Sequence, residues 1–180
     1  PPPFPKVPSV LLSDRESPDR VAVVTGASGW LGGNLVRALV AQGRPVRALC
    51  ARPEEVPLLE VVSPHVHAVA GDVRDPEDVA ALFAGVGEAT VFHAAAVIHP
   101  ATVREFFDVN VGGTELVLDA AKRAAAARFV HVSSNSPFGA NARPTDRFTE
   151  DSPYHPYLGY GASKQEAEQL VLRGHERGDL

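Results

Sequence analysis

Apolar and polar positions follow two rhythms that take turns along this chain. Short apolar runs rich in Val, Phe and Ala fall at residues 21–25, 46–50, 66–70, 90–93 and 129–132. Each is followed by a helix-length amphipathic stretch, at residues 30–42, 53–62, 76–83, 102–127 and 158–173. Strand-length and helix-length patterns in alternation predict repeated strand-helix-strand units and a parallel sheet. Asp75-Pro76-Glu77-Asp78 marks one helix start, with Asp75 as the cap and Pro76 at the first helical position. Right-handed crossovers then make the expected fold α/β, a doubly wound parallel sheet of the Rossmann-like kind.

Two stretches break the rhythm. Residues 1–20 carry Pro1, Pro2, Pro3, Pro5, Pro8 and Pro18 and read as an extended proline-rich arm ahead of a dinucleotide-binding domain over residues 21–180. A ligand for a partner's proline-binding groove is the other reading of that arm. Residues 134–157 include Pro137, Gly139, Pro144, Pro153 and Pro156, too many breakers for a helix or central strand. A long loop over the sheet edge is expected there, and loops of that length inside compact domains carry function.

With 180 residues, 44% of them hydrophobic, the chain can bury a core as one domain. No apolar run approaches the roughly 20 residues that cross a bilayer, and the lone Cys50 has no internal disulfide partner. A cytoplasmic setting without membrane contact fits. A net charge of −5, spread without long runs, argues against a nucleic-acid surface and for a small-molecule partner. The chain contains no methionine, which reads as a processed product or fragment.

Candidate chemistry concentrates where strands end. Thr25-Gly26-Ala27-Ser28-Gly29-Trp30-Leu31-Gly32 follows the first strand and opens the first helix. Gly26, Gly29 and Gly32 leave room for a tight turn and for amides to approach a pyrophosphate at the positive helix end. Thr25, Ser28, Trp30 and Leu31 flank that cradle, with packing as the simpler role for Trp30 and Gly33. At the end of the second strand no acid is present to meet the ribose hydroxyls. Arg52, assisted by Arg47, is placed there for a 2′-phosphate, or else lies in solvent. Cofactor choice therefore leans towards NADP with NAD possible, while Glu54 and Glu55 nearby weaken the lean. After the third strand, Asp72 with Val73 is placed to meet adenine, unless Asp72 only bonds its own turn. Ala94, Ala95 and Ala96 would let a ribose lie against the backbone, and His93 before them reads as a satisfied strand-end histidine.

Tyr160 and Lys164 stand four residues apart, so a helix places both on one face. An ammonium about 4 Å away at an effective dielectric near 20 is worth about 4 kcal/mol, which favours the phenolate and makes Tyr160 a candidate for proton exchange. Ser134, at the end of the fifth strand, could bond a substrate carbonyl, while Ser133 points the other way; either could simply cap the next loop. Asn110 is a poor helix former inside a helical stretch, placed to hold a water linked to Lys164 or to make local helix bonds. Phe138, Tyr154 and Tyr157 line an apolar pocket or pack the loop. No zinc spacing and no nucleophile elbow occur.

Taken in chain order, Thr25 to Gly32, Gly71-Asp72, His93 to Ala96, Asn110 with Gly113-Thr114, Ser133-Ser134 through Gly139, and Tyr160 to Lys164 resemble the extended short-chain dehydrogenase/reductase family. The likeness is greatest to its 3β-hydroxysteroid dehydrogenase, dihydroflavonol reductase and sugar-nucleotide epimerase/dehydratase group. It implies an NAD(P)-dependent oxidoreductase that passes a hydride between nicotinamide and an alcohol or carbonyl. Tyr160 would be the general acid/base, Lys164 its support and a nicotinamide-ribose ligand, Ser134 the orienting group and Asn110 the support of the lysine. It also implies a homodimer built on the fourth and fifth helices, and further strands with a small substrate lobe beyond Leu180. An epimerase or dehydratase with tightly held NAD, and an inactive dinucleotide-binding module, are the competing readings.

Overall fold

The computed structural model describes residues 20–178 apart from 142, 144 and 150, so the expected arm lies outside the described residues except for Arg20. Five parallel strands, β1 (Ala22–Thr25), β2 (Val46–Cys50), β3 (Val66–Ala70), β4 (Thr90–His93) and β5 (Arg128–His131), form one sheet in the order β3-β2-β1-β4-β5. All four residues of β1 are buried, as a central strand with both faces covered requires. Each strand begins within one residue of its expected place.

Side-chain alternation along the strands divides the core into two layers. Ala22, Val24, Val46 and Ala48 pack with Val36 and Leu39 of α1 (Trp30–Ala41) and Leu59 of α2 (Val56–Glu60). On the other face Val23, Leu49 and Val91 pack with Val79 and Leu82 of α3 (Pro76–Phe83) and Val117 and Ala121 of α5 (Gly113–Arg123). Helices on both faces make the fold a doubly wound Rossmann-like sheet. No helix among the described residues is long and apolar enough to cross a membrane.

Three helices depart from expectation. The stretch at 53–62 opens with a 3-10 turn, Pro53–Glu55, before α2, because Pro53 and Pro57 both lack the amide a continuous helix uses. The stretch at 102–127 is α4 (Val103–Phe107), a π-helical turn (Asp108–Gly112) and α5, ending at Arg123. Ala124 to Ala127 have high helix propensity, yet Ala125 turns left-handed at φ 51° so that Ala126 enters the core and Ala127 bonds the Ala89 carbonyl. Tertiary packing overrides propensity there. The last helix, α6 (Leu158–Glu176), runs one turn further than expected. Asp75 caps α3 as read, accepting from the Glu77 amide at 2.8 Å.

Candidate cofactor cleft and Tyr-Lys site

Strand order reverses across β1, so the ends of β1 and β4 diverge and open a crevice at their C-terminal side. A cavity of about 390 Å³ fills it, walled by Gly26, Ser28 and Gly29 after β1, Cys50 and Ala51 where β2 ends, Gly71 to Arg74 after β3, and Ala94 to Val97 after β4.

Local sterics make this wall from backbone. Gly26 has φ +65°, and a β-carbon there would lie 2.8 Å from the backbone of Ala94 and Ala95. A side chain at Gly32 would collide with the Gly26 carbonyl. The Gly26-to-Gly32 turn thus packs α1 tightly on the sheet, with the Ala27 amide bonded to the Leu49 carbonyl and the Gly29 amide to the Gly26 carbonyl. Thr25 fastens the turn to the next strand, its Oγ1 accepting from the Ala95 amide at 3.2 Å. Trp30, read as a packing residue, is 85% exposed at the first position of α1, and Leu31 is exposed as well.

Near the ends of β2 and β3 the carboxylates are already engaged. Asp72 accepts from the Arg74 amide at 2.9 Å and pairs with its guanidinium, which holds its carboxyl below the ordinary value. It bonds its own turn, as one sequence reading has it, and also lines the cavity. Val73 also lines the cavity while packing in the core. Arg52, read as open to a 2′-phosphate, is instead paired with Glu55 and Glu54. Arg47, read as its helper, sits mid-strand and donates to the Ala84 carbonyl, because β2 ends three residues later.

His93 is fully buried and satisfied at both nitrogens. Thr114 spends its hydroxyl proton on the Asn110 carbonyl at 2.6 Å. His93 Nε2 therefore donates to Thr114 Oγ1 at 2.9 Å, and Nδ1 accepts from Thr25 Oγ1 at 2.8 Å. Burial first, then the neighbouring His131 ring and the Lys164 charge, push its pKa well down.

Lys164 and Tyr160 both sit on α6, with Lys164 only 2% exposed. Lys164 Nζ donates to the Val132 carbonyl at 2.6 Å and to His131 Nε2 at 3.3 Å. Burial lowers its pKa to about 8, opposed by Glu168. His131 must then carry its proton on Nδ1, a buried atom with no hydrogen-bond partner. Burial and the Lys164 charge hold His131 down at about 3. The Tyr160 ring leans on Phe106 of α4 with centroids 6.0 Å apart.

Ser134 accepts from the Ser136 amide at 3.1 Å and donates to Ser136 Oγ at 3.1 Å, opening a short 3-10 turn, Ser136–Phe138. Ser133 turns to Glu168, at 2.6 Å, which also accepts from the Tyr154 hydroxyl at 2.6 Å and pushes that phenol up to about 12. Phe138 stacks between Phe148 and Tyr154, so two of the three loop aromatics pack the loop, whereas Tyr157 is exposed. Asn110 lies in the π-helical turn, a feature frequent at functional sites. Its amide is spent on Val97, through Oδ1 at 2.8 Å and Nδ2 at 3.2 Å, and on Ser163 at 3.0 Å. Its side chain faces the segment after β4 and α6, and it makes no direct hydrogen bond to Lys164. His131, Glu168 and Ser163 were missed from the sequence; of these only Glu168 carried a signal, four residues beyond Lys164 on the same helix.

A switch-point crevice with a side-chain-free turn, beside a helix bearing a buried lysine, is the architecture of a Rossmann-like α/β protein. The chain belongs to the NAD-dependent epimerase/dehydratase family, whose model matches residues 22–180. It is 40% identical to 4-hydroxy-2-methyl-3-oxo-4-farnesyl-3,4-dihydroquinoline-1-oxide ketoreductase of Stigmatella aurantiaca, over 86% of this chain and 46% of that one. It is 36% identical to 3β-hydroxysteroid dehydrogenase/Δ5→4-isomerase of Mycobacterium tuberculosis, over 83% and 41%. The structure of dTDP-glucose 4,6-dehydratase from Streptomyces venezuelae, solved with NAD bound, superposes with a TM-score of 0.77 at 29% identity, over 89% of this chain and 53% of that one. The chain spans about half the length of the curated relatives it matches.

Proposed function

We propose that this chain carries the cofactor cleft and proton-transfer residues of an NAD(P)-dependent oxidoreductase acting on an alcohol or carbonyl compound. The observation that supports it most is Lys164, an ammonium kept inside the fold at a desolvation cost, one helical turn after Tyr160 and against the strand end that delivers Ser134. Similarity to a ketoreductase and to a hydroxysteroid dehydrogenase favours the same class.

The residues fit a dinucleotide. The Gly26-to-Gly32 turn and the start of α1 would face a pyrophosphate, Asp72 and Val73 would wall the adenine side, and the Ala94 to Ala96 backbone would leave space for a ribose. When bound, the dinucleotide supplies or accepts the hydride. Tyr160 then donates a proton to the substrate oxygen in reduction, or takes it in oxidation. Lys164 favours the phenolate and holds the nicotinamide ribose. Ser134 donates to the substrate oxygen and orients it. Asn110 acts through Ser163, which donates to the Tyr160 carbonyl at 2.9 Å and steadies the first turn of α6. A homodimer in the cytoplasm belongs to the same proposal.

Tyr160→Phe should abolish turnover of a ketone screen and leave NADH or NADPH affinity, read by nicotinamide fluorescence, within about twofold. Unchanged turnover would sink the assignment. The likeness to a dehydratase motivates a second reading, an epimerase or dehydratase that regenerates its NAD each cycle. Stoichiometric cofactor consumption excludes that reading.

A further inference from the structure

The loop between β5 and α6 is fastened at both ends to one carboxylate. Ser133, on the outgoing limb, donates to Glu168 Oε2 at 2.6 Å, and the Tyr154 hydroxyl, on the returning limb, donates to Oε1 at 2.6 Å. Bonds this short from a hydroxyl to a carboxylate are of the charge-assisted kind. The two limbs also meet directly: the His155 amide donates to the Pro137 carbonyl at 2.9 Å, and the Tyr154 ring stacks on Phe138 with centroids 5.3 Å apart. The Ser136–Phe138 turn lies hard against α6, where a β-carbon on Gly161 would come 2.8 Å from the Ser136 carbonyl oxygen. Ser134, the neighbour of Ser133, opens this turn by accepting from the Ser136 amide.

Glu168 also stands one helical turn beyond Lys164. The titratable groups around that ammonium are His131 of β5, His93 of β4, and Tyr160 and Glu168 of α6. Burial keeps both imidazoles neutral, so the Glu168 carboxylate is the charge that favours the protonated lysine.

We propose that Glu168 is a positioning residue of the proton-transfer site, a carboxylate that holds both limbs of the loop, so fixing the place of Ser134, and whose charge supports the Lys164 ammonium. The proposal rests on the Tyr160-Lys164 reading above and adds a residue that touches neither substrate nor dinucleotide. A neutral amide in its place would accept from one hydroxyl, turn its own donors towards the other, and bring the lysine no charge.

The test is NMR of the full chain as wild type, as Glu168→Gln and as Ser133→Ala with Tyr154→Phe, each checked by circular dichroism. Lys6, Lys122 and Lys164 are the three lysines, so isotope-labelled lysine allows Lys164 to be titrated by itself. Its midpoint in wild type should lie at about 8. Glu168→Gln should lower that midpoint by about one pH unit. It should also speed hydrogen exchange at the Ser136 amide about tenfold, as the bond to Ser134 loosens. The double variant keeps the carboxylate and removes both hydroxyls, so exchange at Ser136 should rise while the lysine midpoint stays; it carries the test of the loop contact if Glu168→Gln misfolds. An unmoved Lys164 midpoint in Glu168→Gln, or unchanged Ser136 exchange in either variant, overturns the role of Glu168 and leaves the oxidoreductase reading standing. Faster exchange spread over the whole sheet with the lysine midpoint unmoved marks a merely structural carboxylate and overturns it too. Wild type that binds no NADH, read by nicotinamide fluorescence, overturns the reading on which the proposal rests.

Discussion

Lys164 stores a conflict between stability and function. Its charged end is buried against His131 and the Val132 carbonyl, which lowers its pKa to about 8 from the ordinary lysine value. The folded chain therefore holds this proton less tightly than the unfolded chain does. Between pH 8 and about 10.4 the unfolded state binds more protons, so this group's contribution to stability rises with pH across that window and is at its lowest at neutral pH. Lys164→Met, apolar and of similar length, should raise the free energy of unfolding at pH 7 by about 1 kcal/mol in urea denaturation, after subtracting the lost bond to Val132. It should also remove the rise between pH 8 and about 10.4 and weaken nicotinamide binding. A variant that is less stable than wild type at pH 7 would mean that the lysine's hydrogen bonds outweigh its desolvation.

At the scale of elements, Asn110 shows how one side chain joins three segments. It ties the π-helical turn to Val97 after β4 and to Ser163 on α6. Asn110→Ala leaves the Val97 amide and carbonyl without these partners and should cost about 2–3 kcal/mol, with faster hydrogen exchange at the Val97 amide as the local signature. Equal exchange at Val97 would locate the loss elsewhere. The same helix shows what was legible beforehand. Strand places, the Asp75 cap and the Gly26-to-Gly32 turn follow from neighbours in sequence, and the chain reveals them. Tyr160, Lys164, Ser134 and Asn110 stand out in the sequence as candidates by their order and spacing. The break of a long helix into α4, a π-helical turn and α5 was not, since Asn110 finds its partners 13 and 53 residues away. Nor was the capture of Arg52: a carboxylate three residues on is visible, but the Ser28 hydroxyl that fixes its inward pose comes from 27 residues earlier.

Across the whole molecule, the sheet is bridged under the cleft by two imidazoles. His93 on β4 and His131 on β5 are register partners, stacked with centroids 5.6 Å apart. His93 joins Thr25 of β1 to Thr114 of α5, and His131 meets Lys164 of α6. Three strands and two helices are therefore coupled through groups that must stay neutral: a proton on either ring would face the other ring and the lysine charge. Burial holds His131 at about 3 and His93 well below its ordinary value. In the unfolded chain both titrate near 6.5. Their neutral pairing thus contributes stability that is fully present above pH 6.5 and is lost as pH falls towards 3. Each ring adds a slope of up to about 1.4 kcal/mol per pH unit in that window, before carboxylate titration begins to matter. The melting temperature should fall steadily from pH 6.5 to 5, and His131→Gln should remove roughly half of that slope. A melting temperature that is flat over this range would show that the two histidines accept protons inside the fold, and that the stacked pair is not the acid-sensitive joint of the sheet.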